Sequence, residues 1–408
     1  MIRTNNPFRV LTAVVTAGML AMSLLMLLLW PPLPAQAQST TGGAPITVNT
    51  TKDETTPNDG ECSLREAIQN ANDGAQTSSD CKAGRGEETI TFKKGLSGTI
   101  TLNPDLGPLT VTDRAGLTID GGRESITVSG GDQVQVISES AGAKLTLRNL
   151  TVANGSAASG GGIENNGGTL TVTDSTFSGN SAVGTGSDPI DCLDKCYGGG
   201  IDNDGGTLTV TGSTFSGNES VGEGGGIANV NSGTVTVTNS TFSGNGAGVV
   251  GGGISNEGTL TVTYSTFSEN GSNVGGGIGN AISSTATLSN TILANSKGDN
   301  PLNCGLGTYI DGGYNISDDE SCKFTESTSK TNTKPLLDPN GLQDNGGPTQ
   351  TIALQEGSPA INYIPKGENG CNTTVKTDQR GVKRPQGKAC DVGAYELQKQ
   401  AKQARPTQ

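Results

Sequence analysis

Near-identical segments recur through the middle of this chain, and that recurrence constrains the fold more than any other feature. GGGIENNGGTLTVTDSTFSGN, GGGIDNDGGTLTVTGSTFSGN, GGGIANVNSGTVTVTNSTFSGN and GGGISNEGTLTVTYSTFSEN follow one another, and GGGIGNAISSTATLSNTILAN is a degenerate fifth copy. Their lead isoleucines, Ile163, Ile201, Ile227, Ile254 and Ile278, are spaced 38, 26, 27 and 24 residues apart. The longest interval contains an insertion with Cys192 and Cys196, so the underlying period is roughly 25 residues. A unit this short cannot bury its apolar side chains alone. It can do so by winding one coil and stacking on the next, with neighbouring coils paired as parallel strands about 4.8 Å apart.

Within each copy the pattern alternates. In Thr169-Leu170-Thr171-Val172-Thr173, leucine and valine point one way and the threonines the other. Stacking then predicts columns of like residues. Phe177, Phe215, Phe242 and Phe267, continued by Ile292, form one. Asn180, Asn218, Asn245, Asn270 and Asn295 form a second, and Asn165, Asn203, Asn229, Asn256 and Asn280 a third. The apolar columns make a dry core, and the asparagines bridge coil to coil. With 63 glycines and only 3% aromatic residues the composition suits a turn-rich, all-β chain. A β-sandwich would not explain same-residue columns at a solenoid period. The expected fold is all-β: a single-stranded right-handed parallel β-helix (solenoid) with a short N-terminal capping helix and a disulfide-pinned C-terminal cap. About ten coils would make a rod of roughly 50 Å.

The organisation follows from the flanks. Arg3 and Arg9, the apolar run from Leu11 to Trp30, and Ala35-Gln36-Ala37 read as an export signal over residues 1–37. The run is also long enough to span a bilayer, so an uncleaved N-terminal segment is the one membrane attachment in view. Residues 46–85 form an N-terminal cap in which Ser63 and Glu66 suit a capping box, ahead of a helix with Leu64, Ala67, Ile68 and Ala71 on one face. Residues 86–300 are the β-helix, with the central repeats at 160–296. Residues 301–396 are C-terminal coils and a cap, and 397–408 a polar tail. Eight cysteines in an exported chain read as disulfides, and the local pairs Cys62 and Cys81, Cys192 and Cys196, Cys304 and Cys322, and Cys371 and Cys390 are expected because each falls within one loop or cap.

Residues 46–72, around Cys62-Ser63-Leu64-Arg65-Glu66-Ala67, resemble the CSLREA region of exported bacterial β-helix proteins. The GGGI…TFSGN repeats are similar to those of polymorphic outer-membrane proteins. Residues 342–396 resemble the choice-of-anchor Q region, through Asp344-Asn345-Gly346-Gly347-Pro348-Thr349, Ser358-Pro359-Ala360-Ile361, Asp378-Gln379-Arg380-Gly381, Arg384-Pro385 and Asp391-Val392-Gly393-Ala394-Tyr395-Glu396. Leu117-Thr118-Ile119-Asp120-Gly121-Gly122 resembles a turn of pectin-lyase-like β-helices. These resemblances imply a secreted or cell-surface protein and no established catalytic residues. The chain departs from the anchor pattern at Ile352, where relatives often carry histidine, and at Asn362, where they often carry aspartate.

Composition narrows the function. The chain has no histidine, which removes the commonest general base and every Ser-His or Cys-His system. Loss of Arg3 and Arg9 with the signal takes the net charge from −13 to −15. An acidic body without a basic stripe argues against nucleic acid. Polysaccharide or cell-surface glycan is the expected partner of a monomeric, adhesive rod, and a carbohydrate-active enzyme is the alternative. A lyase needs a basic residue beside calcium-binding acids, and from Thr151 to Ser296 Lys195 stands alone. A hydrolase needs two carboxylates, and one pair qualifies: Glu164 and Asp202 each follow a lead isoleucine and should share an outward column on adjacent coils. With Asp188, Asp191, Asp194 and Asp204 they make the densest acid cluster on the repeats. It reads as a solvated acidic loop, as a calcium site formed by Asp188, Asp191, Asp194, Asp202 and Asp204, or as a catalytic pair.

Overall fold

The computed structural model describes residues 44–184, 192, 196–298 and 301–398. The signal segment 1–37, Asp188, Asp191, Asp194 and residues 399–408 of the tail lie outside them. The alternation in each repeat becomes strand structure: Leu170 and Val172 are fully buried, and Thr169 on the same strand is exposed. Strand Thr169–Thr173 pairs in parallel with Lys144–Arg148 before it and Thr207–Thr211 after it, residue for residue. The 38-residue interval therefore takes one coil step, as the shorter intervals do.

The chain is a parallel β-helix of about eight turns. Each repeat contributes a strand to three faces: Ile-x-Asn (Ile201–Asp204), Thr-Leu-Thr-Val-Thr (Thr207–Thr211) and Thr-Phe-Ser (Thr214–Ser216). The first two faces join through the long strand Ile278–Ser289 into one 16-stranded sheet, and the third forms a 9-stranded sheet. Phe177, Phe215, Phe242 and Phe267 stack in single file inside, with ring centroids 4.8, 4.7 and 4.6 Å apart. The triplet before each lead isoleucine is glycine because backbone fills the space. A Cβ on Gly198 would lie 2.2 Å from Ile201 O, one on Gly199 2.3 Å from Glu219 O, and one on Gly200 2.5 Å from Gly226 O.

Two column assignments from the fifth repeat are corrected. Leu293, not Ile292, pairs with Phe267, and Ile292 pairs with Thr266. Asn295 has φ of 57°, matching Glu269 at 60°, so it occupies the left-handed corner and not the asparagine column. The degenerate copy is shifted by one residue. Thr291 takes the place of Ser265, and each hydroxyl donates to the carbonyl two residues back. The shift puts Leu293 in the core.

The N-terminal end is closed by the helix Leu64–Asp73, where Ser63 and Glu66 form the expected capping box and Leu64, Ala67, Ile68 and Ala71 are buried. Arg65 is not a free functional group. It holds Asp53 through both carboxylate oxygens and donates to the carbonyls of Leu106, Gly107 and Pro108. All four local cysteine pairs are disulfides, with Cα–Cα distances of 4.9 to 5.9 Å.

The disulfide-pinned C-terminal cap is present, but it covers a flank of the solenoid and not its end. The Cys304–Cys322 loop, with Tyr309 and Phe324, packs on the last coil. The chain then turns back along the Thr-Phe-Ser face. Gln379 lies at the centre of this contact. Its Nε2 donates to Thr214 Oγ1 and Thr349 Oγ1, and its Oε1 accepts from Thr241 Oγ1. The motifs of this region are its internal frame. Arg380 pairs with Asp378 at 2.6 Å, and Arg384 with Glu396 at 3.1 Å, all four buried. Arg384 also lies over the ring of Tyr264, on the solenoid itself. Ile352 packs in the core under this flank, whereas Asn362 is exposed and its Oδ1 accepts from the Lys388 N–H.

Phe215 has an aromatic neighbour on each side, and truncation should leave a cavity that a stacked core cannot close. Phe215→Ala is expected to cost about 3–5 kcal/mol in chemical denaturation, against less than about 0.5 kcal/mol for the half-exposed Ser216→Ala.

Candidate functional site

Two surfaces on the coils carry chemistry: the acid column outside the Ile-x-Asn strands and the threonine face beside it. Strands Ile163–Asn166 and Ile201–Asp204 pair so that Glu164 lies beside Asp202 and Asn166 beside Asp204. The expected adjacency of Glu164 and Asp202 is therefore present. The expected openness is not, since Asp202 is only 3% exposed.

The cause is a roof. Ser159, Tyr197, Glu223, Val250 and Val274, each just before a glycine triplet, bridge one another in parallel. The following glycine folds the chain flat over the strand, and the roof residue settles on the outward residue of the next coil. Glu223 accepts from the Ser255 hydroxyl at 2.8 Å. Val250 Cγ1 lies 2.1 Å from where a Cβ of Gly279 would be, and Val274 Cγ1 2.6 Å from that of Gly305. Ser159 hydrogen-bonds Asp202 in the same way. Roof and floor are matched in size, which explains why the acid column gives way to Ala228, Ser255 and Gly279. The roof was not anticipated from sequence, because its residues share no chemistry. Only their fixed place before each glycine triplet marks them.

Beneath this roof Asp202 Oδ1 has no hydrogen-bond partner among the described residues. Burial, then the neighbouring charges of Asp204 and Glu164, push the Asp202 carboxyl up to about 8. Glu164 is raised too, by burial and then Asp204. Asp204 is held from the next coil, its Oδ1 accepting from Asn231 Nδ2 at 2.5 Å. Asp202 itself offers no open face to a sugar chain, while Glu164 beside it stays partly exposed. For calcium, Glu54, Asp59 and Glu61 are the one acid trio among the described residues whose ligand oxygens all lie within 4.8 Å of one another. Glu61 in that trio is already paired with Lys52. Asp202, Asp204 and Glu164 do not converge in this way, and Asp188, Asp191 and Asp194 fall outside the described residues.

The threonine face is open and regular. Thr89, Thr118, Thr146, Thr171, Thr209, Thr236, Thr261 and Thr287 form one unbroken column through successive strand pairs. On five consecutive coils it is flanked by two further columns, Thr169 to Thr285 on one side and Thr173 to Ser289 on the other. All fifteen of these positions carry a hydroxyl and none a charge. Spacing is about 4.8 Å between coils and about 6.6 Å along a strand. The T-x-T-x-T signal was legible in every copy; the in-register flatness is what the fold adds.

Neither a family model nor a curated protein sequence matches the chain. Among solved structures, the chain is similar to the 1.7 Å crystal structure of Jun a 1, the major allergen from cedar pollen, at 15% identity and a TM-score of 0.40, covering 72% of this chain and 82% of that one. No residue role is carried over from it.

Asp202 yields a pH test. Its folded carboxyl, raised to about 8, binds its proton more tightly than the unfolded one at about 3.9. Its contribution to stability is complete below the unfolded value and is lost as pH rises through about 8. Asp202→Asn should match the parent in thermal denaturation near about pH 3.5 and exceed it by a margin that grows as pH rises to about 8, because the amide stays neutral.

Proposed function

We propose that this chain is an exported, surface-associated β-helix that binds extended polysaccharide or matrix through its threonine face and does no chemistry on it. The observation that carries the reading is the three-column hydroxyl lattice, uncharged over five coils and left open while the Thr-Phe-Ser face is covered. A rigid array loses little conformational entropy on binding and offers regularly spaced hydroxyls to a regularly spaced ligand. Four disulfides suit an oxidising exterior, and among the described residues no helix is long and apolar enough to cross a membrane. The CSLREA-like start and the anchor-like C-terminal region support the same setting. The burial of Asp202 weighs against a hydrolytic pair with Glu164.

A second reading draws on the same face. Its columns hold no aromatic platform for a sugar ring, only methyl and hydroxyl groups in two fixed repeats. That surface also suits a layer of ordered water, including the surface of ice.

Thr209→Glu combined with Thr236→Glu places charges in the middle of the lattice. Retention of the purified chain on insoluble polysaccharides should fall at least about ten-fold, with unchanged melting temperature, while Ser216→Glu on another face has no effect; a ten-fold change is about 1.4 kcal/mol. Equal retention by the double variant would remove the threonine face from the account. Loss of ice-growth inhibition, without any polysaccharide binding in the parent, would favour the second reading.

A further inference from the structure

The asparagine ladder inside the solenoid begins at a residue that is not asparagine. From Asn165 onward each rung is the same: Asn165 Nδ2 donates to Asn203 Oδ1, Asn203 to Asn229, Asn229 to Asn256 and Asn256 to Asn280, all at 2.7 Å. One coil earlier, the position paired with Asn165 is Glu139, which is 0% exposed.

The glycine beside each rung shows what Glu139 does there. A Cβ on Gly233 would lie 2.6 Å from Asn203 Nδ2 and 2.4 Å from Asn229 Oδ1, the donor and acceptor of one rung. On Gly206 it would lie 2.3 Å from Asn165 Nδ2 and 2.9 Å from Asn203 Oδ1. On Gly168 it would lie 2.6 Å from Glu139 Oε1 and 2.7 Å from Asn165 Oδ1. Glu139 Oε1 therefore occupies the donor's place, facing an oxygen that can only accept. Neither of its carboxylate oxygens has a hydrogen-bond partner among the described residues.

We propose that Glu139 stands in the folded protein as a neutral carboxylic acid whose Oε1–H donates to Asn165 Oδ1, forming the first rung of the ladder and making the N-terminal coils sensitive to alkali. Burial pushes this carboxyl up to about 8; the Leu145 and Thr169 N–H groups lie near enough to oppose the rise, but neither completes a hydrogen bond to Glu139, and the Thr169 N–H donates to the Ala143 carbonyl. The charged groups of the elements around it do not neutralise it. Asp113, after the strand Leu109–Val111, accepts from the N–H groups of Ala115 and Gly116. Lys144 and Arg148 on the next face are exposed, and Glu164, adjacent to Asn165, lies on the opposite side of its strand. Because the folded value is raised, the stabilisation is complete below the unfolded value and is lost as pH rises through about 8.

The test compares the parent with Glu139→Gln, which replaces the acid by a permanent N–H donor, and with Glu139→Asn, the ladder's own residue. Glu88, pushed up to about 7, and Asp202 are unchanged in all three chains, so differences isolate Glu139. In denaturation followed from about pH 6 to about pH 9.5, at least one variant should fold as well as the parent at the acid end. It should gain roughly ten-fold or more in its folding equilibrium at the alkaline end, as a one-unit titration requires. Infrared difference spectra near neutral pH should show a protonated-carboxyl band in the parent that the variant lacks. A gap that does not change with pH, no lost band, or failure of both variants to fold at acid pH would overturn the proposal.

Discussion

Hydrogen bonds running along the solenoid axis hold each coil to the next, and they do so only while like residues stay in register. A one-residue slip would turn leucine and valine to water and threonine to the core. Three interior features share this constraint: the phenylalanine file, the Asn165 ladder and a second ladder in which Asn180, Asn218 and Asn245 each donate to the next asparagine. An asparagine amide is both donor and acceptor, so it can form a rung with an identical neighbour and leave no polar atom unsatisfied. A carboxyl group can do that at the start of a ladder only while it carries a proton.

Register, once set inside, fixes what the outside displays. The same step that stacks Phe215 on Phe242 stacks Thr209 on Thr236, so the threonine face is as regular as the core. The insertion between Ala182 and Cys196 leaves this step undisturbed, because the strands on either side still pair directly. The acid column was exposed to the same logic with the opposite result. Stacking put Glu164 beside Asp202, and the roof residue from the preceding coil then closed over the second of them.

What could be read from the sequence was what repeats. The fold, the first four phenylalanines, the Asn165 column, the capping box and the local disulfides follow from identity at a fixed period or from spacing. What could not be read depended on contacts between unlike residues. Ile292 aligned with Phe267 by its preceding threonine, yet the strand counts from Ser289, and Leu293 fills the core. The Asp378–Glu396 motifs looked like an end closure. They are an ion-paired frame whose outward hydrogen bonds meet hydroxyls of coils more than a hundred residues away, such as Thr241. Burial of Asp202 beneath Ser159 likewise depends on a chain reversal that no residue pattern at Asp202 announces.

The account stands on equal coil steps, whatever the length of chain between them. Lys144, Thr169, Thr207, Thr234, Thr259, Thr285 and Thr308 occupy successive rungs of one column. Spin-label pairs anchored at Lys144 and each later position should give separations that rise linearly, by about 4.8 Å per coil and to about 29 Å at Thr308. The 38-residue step from Thr169 to Thr207 should add no more than the 25-residue step from Thr234 to Thr259. Separations that track the number of intervening residues, or that fail to rise along the column, would contradict it.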